Sequence, residues 1–117
     1  MVSASHCRPT WVEIDLAACV HNVRRIRDRV GRREIWPVVK ADAYGHGAVR
    51  VAQVLAREQV AGFCVATATE GRELRQNGVA IPILVMAGLS PGGADDPFEV
   101  GVEYGLTAAV PDATTAE

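Results

Sequence analysis

The chain has 117 residues, of which 49% are hydrophobic and 22% charged, a composition typical of one globular domain. Its net charge of -2 gives no reason to expect nucleic acid or an anionic membrane as a partner. No apolar run approaches the roughly 20 residues of a membrane span, and no secretory signal opens the chain, so we expect a cytoplasmic protein.

A strand and a helix are predicted at the start of the chain. In residues 10–16, TWVEIDL, apolar and polar side chains alternate with the period of a half-buried strand. Asp15 is placed to cap the following helix and Gly31 to end it. Between them, apolar residues recur every three or four positions and predict one buried stripe: Leu16, Val20, Val23, Ile26 and Val30.

A second strand and helix follow. Residues 35–39 form a short apolar run without alternation, which is typical of a strand covered on both faces in a parallel sheet. Pro37 weakens that assignment slightly, because proline cannot donate to a ladder. The apolar spacing after Gly47 predicts a helix that closes near Gly62.

A third pair is predicted from a strand signal and a helix start signal. Residues 62–66, GFCVA, form another brief apolar strand. Thr67 and Glu70 have the spacing of a capping box, which predicts a helix that ends near residues 77–78, Asn-Gly.

The last third of the chain continues the alternation. Residues 81–88 and 105–111 read as strands, and residues 112–117 begin another helix. The loop 89–97 is rich in glycine and proline, but it has neither the P-loop spacing nor the dinucleotide-binding spacing. We expect a surface loop there.

Alternating strands and helices indicate an α/β fold with a parallel sheet. Two architectures remain open at this point, a doubly wound open sheet and an eightfold (β/α)8 barrel, which normally needs about 250 residues. The chain has only about four barrel-type units, and its last helix is incomplete. We therefore expect the N-terminal part of a longer protein.

Lys40 stands at the carboxyl end of the predicted strand 35–39. Side chains alternate along a strand, so Val38 and Lys40 share one face. Barrel and open-sheet enzymes place reactive groups at this end of their strands. The position alone is equally compatible with a lysine that extends along the sheet edge to water.

The residues around Lys40 suggest a chemistry for its amine. A partly buried lysine can present a neutral amine, which forms a Schiff base with an aldehyde such as pyridoxal 5'-phosphate. Tyr44, Gly45 and Gly47 could supply donors to its phosphate at the start of the next helix. His46 is more typical of a turn histidine that satisfies local backbone.

No metal site is predicted. The three cysteines, Cys7, Cys19 and Cys64, are odd in number and widely spaced, so they are interpreted as free thiols. The three histidines, His6, His21 and His46, show no ligand spacing.

Three stretches together resemble one enzyme family. VVKADAYGHGA closely resembles the cofactor-lysine signature of alanine racemases, and TWVEIDLAACVHNVRRIR resembles the N-terminus of the same family. GFCVATATEGRELRQNGVAIPILVMAGLSP is similar to its next two strand-helix units, so the resemblance covers about residues 10–112. Related barrel enzymes such as amino acid decarboxylases have a lysine at a similar place without the Ala-Tyr-Gly-His-Gly continuation.

The resemblance implies a fold type III pyridoxal-phosphate barrel, of which residues 1–117 would be the N-terminal part. A C-terminal β domain would follow in a full-length member, and residues 10–16 would join that domain. Lys40 would hold the cofactor covalently and act as the base on the face from which D-alanine loses its proton. Tyr44 would bind the cofactor phosphate, while Val38 and Met86 would line the pocket. For Met86, core packing is an equally good interpretation.

The resemblance also implies what lies outside this chain. A tyrosine from the partner subunit of a homodimer would be the second acid/base, and a later arginine would contact the pyridine nitrogen. The expected activity is interconversion of L-alanine and D-alanine, which supplies D-alanine for peptidoglycan. The alternatives are a non-catalytic pyridoxal-phosphate module, a serine racemase or an amino acid decarboxylase. The chain alone is expected to be inactive and poorly stable.

Overall fold

Helices alternate with short parallel strands in the computed structural model, which describes residues 9–89 and 96–116. The strands are β1 (Phe63–Val65), β2 (Ile83–Val85) and β3 (Thr107–Ala108). The helices are α1 (Leu16–Val30), α2 (Ala48–Leu55), α3 (Ala68–Gln76), α4 (Pro97–Glu103) and α5 (Ala113–Ala116). A 3-10 turn extends α2. The predicted α/β class with parallel strands is confirmed.

The predicted ends of α1 and α3 are confirmed, whereas α2 ends at Leu55 and its 3-10 extension at Glu58, before the predicted close near Gly62. The Asp15 carboxylate accepts the N–H of Ala18 at 3.0 Å, and Gly31 ends α1 with a positive φ of 65°. At α3, the Thr67 hydroxyl accepts the N–H of Glu70 at 3.3 Å, and the Glu70 carboxylate accepts the N–H of Thr67 at 3.2 Å. This reciprocal capping box satisfies two donors that the first turn of a helix leaves unpaired.

The three strands lie side by side in the order β1-β2-β3, all parallel. The segment before Lys40 runs beside β1 with one bridge, between Val38 and Cys64. One further bond joins the Ala61 N–H to the Ile35 carbonyl at 2.9 Å, so the predicted full strand 35–39 is wrong. Val39 donates to the Cys64 carbonyl and Cys64 donates to the Pro37 carbonyl, each at 2.9 Å. Pro37 has no N–H to donate in return, which interrupts the ladder.

The sheet is covered by helices on one face. Side chains of one face are fully buried in the core: Phe63, Val65, Ile83 and Val85. The register aligns Val38, Cys64, Leu84 and Thr107 in a row across the other face. Val38 is 39% exposed, so the prediction of cover on both faces is wrong for this segment.

Two segments in the outer parts of the chain differ from a simple strand-and-loop interpretation. Residues 10–15 form no strand among the described residues, and Trp11 and Val12 are 70% and 79% exposed, so the expected place of residues 10–16 in a β domain stays a prediction. Alternation makes a strand only where a partner supplies the ladder. Helix α4 was not predicted, although the Asp96 carboxylate caps it by accepting the Phe98 N–H at 2.8 Å. Most of the predicted loop 89–97 lies outside the described residues.

None of the helices in the described part of the chain combines the length and the hydropathy required to cross a membrane.

Candidate active site

The carboxyl ends of the parallel strands meet at one edge of the sheet, and Lys40 lies there. It directly follows the Val38 bridge and is half-buried. Val39 has φ -120° and ψ 21°, so the backbone leaves the extended conformation directly before Lys40. Met86 follows β2, donates its N–H to the Val65 carbonyl at 2.9 Å and is 37% exposed. The structure therefore places Val38, Lys40 and Met86 at the same open edge.

Lys40 is the only lysine in the 117 residues, beside 11 arginines. This count was available from the sequence, and the motif reasoning overlooked it. An arginine guanidinium stays protonated and does not replace a lysine amine in Schiff-base chemistry. Any imine formed on a side chain of this protein segment must therefore form at Lys40.

A turn of left-handed helix begins directly after Lys40. Ala41, Asp42, Ala43 and Tyr44 have φ between 50° and 58° and ψ between 36° and 51°. For residues with a Cβ, this conformation costs roughly 1–2 kcal/mol each. Sequence reasoning did not predict this turn, because Asp42 is the only one of the four that is of a type known to adopt this backbone as a single residue. Strain of this kind persists where the surroundings impose it and is concentrated at functional sites.

Local hydrogen bonds stabilise the left-handed turn. The Asp42 carboxylate accepts the N–H of Ala48 at 2.8 Å, and the Asp42 carbonyl accepts the N–H of Gly47 at 2.9 Å. The His46 backbone N–H donates to the Ala43 carbonyl at 3.1 Å, and Nδ1 of its ring lies 2.8 Å from the same oxygen. The Asp42 carboxylate thus holds the first N–H of α2, and His46 satisfies local backbone, as predicted for that histidine.

These bonds change the prediction for phosphate donors. The N–H groups of Gly47 and Ala48 already donate to Asp42, and a carboxylate at the start of α2 repels a second anion. The predicted use of Gly47 as a phosphate donor is therefore wrong for this arrangement. Tyr44 is 60% exposed beside Lys40, so its phenol is accessible to a ligand.

Glu70 reaches the same turn from α3. One carboxylate oxygen accepts the N–H of Ala41 at 2.8 Å, and the other accepts the N–H of Ala66 at 2.7 Å. Sequence reasoning identified Glu70 only as a member of the capping box. Its bond to Ala41 joins residues 29 positions apart, so no local pattern could have revealed it.

Cysteine and metal-ligating side chains are the other groups that could form a reactive site. Burial raises the pKa of the Cys64 thiol, which keeps the thiol protonated and weakly nucleophilic. Within residues 9–89 and 96–116, no group of three or more His, Cys, Asp or Glu side chains could hold a metal ion. Cys7 and His6, for which no metal site was predicted, lie outside the described residues.

Comparison with known proteins gives consistent matches. The family model described as "Alanine racemase, N-terminal domain" matches residues 14–117. The alanine racemase of Synechocystis is 53% identical over 81 residues, which are 68% of this chain and 22% of that protein. The solved alanine racemase of Clostridium difficile 630 is 40% identical with a TM-score of 0.81, over 95% of this chain and 29% of its own.

A third relative was solved with a cofactor. The alanine racemase of Bartonella henselae with covalently bound pyridoxal phosphate is 30% identical, with a TM-score of 0.76, and covers 87% of this chain. The match spans 28% of that structure. The chain thus corresponds to between about a fifth and a third of the length of these relatives.

Proposed function

Because this chain belongs to the family of alanine racemase N-terminal domains, we propose that it carries the cofactor lysine of an enzyme that interconverts L-alanine and D-alanine. The observation that carries the proposal is the position of Lys40. Its amine is the only one on a side chain, and it lies half-buried at the carboxyl edge of a parallel sheet. A strained turn directly after it fixes the backbone from which it projects.

The proposed cofactor is pyridoxal 5'-phosphate, and the residues at this edge fit it. Lys40 would bind the cofactor's aldehyde carbon covalently, and the exposed phenol of Tyr44 would donate to its phosphate. Val38 and Met86 would form the apolar wall on either side of Lys40 and exclude water. When bound, the cofactor supplies an electron sink for the pair left on the α-carbon after deprotonation.

Lys40 would have a second role as an acid/base. In its free form, the Lys40 amine would take the α-proton from one face of the substrate, or return it there. Inversion requires a second acid/base on the opposite face. The proposed source is a tyrosine of the partner subunit in a homodimer, which would make the active site a shared one.

The remaining parts of the proposal concern the whole protein. We infer a (β/α)8 barrel to which this chain contributes the first units, followed by a β domain that residues 10–16 join. The exposed Trp11 and Val12 support a partner for that segment. We also infer a cytoplasmic enzyme whose D-alanine is used in peptidoglycan.

The test uses the complete protein with Lys40→Ala and Lys40→Arg. Arginine keeps the charge and the length but cannot form a stable imine. We expect the parent to gain imine absorbance with pyridoxal phosphate and to racemise alanine, and both variants to lose both properties. Equal racemisation by parent and variants would refute the proposal. Imine formation without racemisation of alanine, but with turnover of serine or release of carbon dioxide, would replace it by one of the related activities.

A further inference from the structure

The carboxylate of Glu70 joins two separate parts of the fold, the start of α3 and the turn after Lys40. It accepts N–H groups from Ala41 at 2.8 Å, Ala66 at 2.7 Å and Thr67 at 3.2 Å. Ala66 follows β1, Thr67 caps α3, and Ala41 opens the left-handed turn after Lys40. An ordinary capping box needs only the bond to Thr67. Ala66 lies directly before this cap, so the bond to Ala41 is the one that serves something beyond the start of α3.

The bond to Ala41 acts on the backbone of Lys40. The N–H of Ala41 and the carbonyl of Lys40 belong to the same planar peptide, so fixing one fixes the other. On the preceding side, the N–H of Val39 donates to the Cys64 carbonyl at 2.9 Å. The backbone is thus held on both sides of Lys40, by a main-chain bond before it and a charge-assisted bond after it.

An acceptor is also needed here for an energetic reason. The left-handed turn is intrinsically unfavourable over four residues, from Ala41 to Tyr44. Ala41 is its first member, and its N–H points out of the turn to α3 rather than into the turn. An ionised carboxylate has only acceptor sites, so it can serve all three donors without presenting a donor of its own.

We propose that Glu70 is the positioning residue for Lys40: its carboxylate holds the peptide after Lys40 and so sets the direction in which the amine leaves the sheet edge. This inference rests on the proposed function for its catalytic consequence. Glu70 itself acts through the backbone and has no contact with the reacting atoms in this assignment. The backbone part of the inference stands on the hydrogen bonds alone.

The test compares Glu70→Gln with two controls in the complete protein. Glutamine keeps the shape but turns an NH2 group towards one of the three donors, which breaks at least one bond. Glu73→Gln makes the same chemical change on the exposed side of α3. Thr67→Ala removes the other half of the capping box, and it leaves the bond between Glu70 and Ala41 in place.

Two measurements are made on each variant. The first is the rate at which pyridoxal phosphate attaches to Lys40, trapped with borohydride and counted by peptide mass spectrometry. Because Lys40 is the only lysine of this segment, the modified peptide is unambiguous. The second is deuterium exchange at the Ala41 amide, which needs no cofactor.

We expect Glu70→Gln to slow the attachment of pyridoxal phosphate to Lys40 by about tenfold and to speed deuterium exchange at the Ala41 amide by a similar factor. This is the size of effect expected when one charge-assisted hydrogen bond is lost. Thr67→Ala should lower the melting temperature and leave both rates within about twofold of the parent, since only the helix cap is lost. Glu73→Gln should change neither rate.

Two results would overturn the inference. One is a Glu70→Gln variant whose exchange and attachment rates equal those of the parent. The other is a Thr67→Ala variant that loses attachment as much as Glu70→Gln does, which would mean that Glu70 acts only as part of the helix cap. If the parent itself does not take up pyridoxal phosphate, the proposed function fails, and the exchange at Ala41 alone decides whether Glu70 holds this peptide.

Discussion

At the scale of single residues, the region after Lys40 shows where sequence reasoning stops. The motif, the strand end and the capping spacing of Thr67 and Glu70 all follow from local patterns. The left-handed turn does not, because its residues would favour other conformations in isolation. It is imposed by partners such as Glu70, which lies 29 positions further along the chain.

The backbone at Ala41 gives a direct prediction. Glycine adopts φ near 50° without a Cβ clash, so Ala41→Gly should raise the free energy of unfolding of the complete protein by about 0.5–1 kcal/mol, the relieved strain exceeding the entropy lost. The matched control is Ala18→Gly in the right-handed α1, which should lower the free energy by about 0.5–1 kcal/mol. Urea denaturation measures both. An equal decrease in the free energy of unfolding in both variants would contradict a left-handed conformation at Ala41.

At the scale of elements, prediction succeeded where the signal is local and failed where a neighbour decides. Helices α1 and α3 begin at their predicted caps, Asp15 and Thr67. The predicted strand of residues 35–39 is reduced to one bridge because Pro37 interrupts the ladder. Residues 10–15 lack a partner strand. Helix α4 had a readable signal in its Asp-Pro start, which the sequence analysis interpreted as loop.

Arg75 joins α3 to two segments that follow it in the chain. Its guanidinium donates to the carbonyls of Val79 at 2.6 Å, Ile81 at 2.7 Å, Tyr104 at 3.0 Å and Gly105 at 3.3 Å. Burial lowers the pKa of Arg75, since the charged form loses hydration. The planar guanidinium can still serve all four acceptors, which come from the loop before β2 and the turn before β3.

Arg75→Lys should therefore destabilise the complete protein although the charge is kept. A lysine ammonium has three donors on a flexible stem and cannot span both segments. We expect a loss of about 2 kcal/mol in the free energy of unfolding, because at least two partly buried carbonyls lose their partner. Arg50→Lys on the exposed side of α2 is the control and should change stability by less than about 0.5 kcal/mol. If Arg75→Lys left the free energy of unfolding unchanged, water would be shown to replace the guanidinium at no cost.

At the scale of the whole molecule, the described fold is a flat layer. It measures 57 × 46 × 22 Å, and its radius of gyration is 17.2 Å, against about 13 Å for a compact domain of similar length. Helices cover one face of the sheet. Large apolar side chains remain exposed elsewhere, and they include Trp11, Val12, Val102 and Val110, each more than half exposed. Such surface is normally covered by further structure or by another molecule.

The layer predicts how the 117-residue chain behaves when it is produced by itself. The outer edge of β3 has no partner strand among the described residues, and Val38 on the second face of the sheet is 39% exposed, so the chain should associate and unfold without a sharp two-state transition. Sedimentation velocity over a range of concentrations and urea denaturation followed by two probes measure these properties. Val102→Lys, on a side chain that is 82% exposed, should reduce association without sharpening the transition, because it changes the surface and leaves the sheet edge open. A monomer with coincident two-state transitions would show that one covered face is enough for this sheet to be stable.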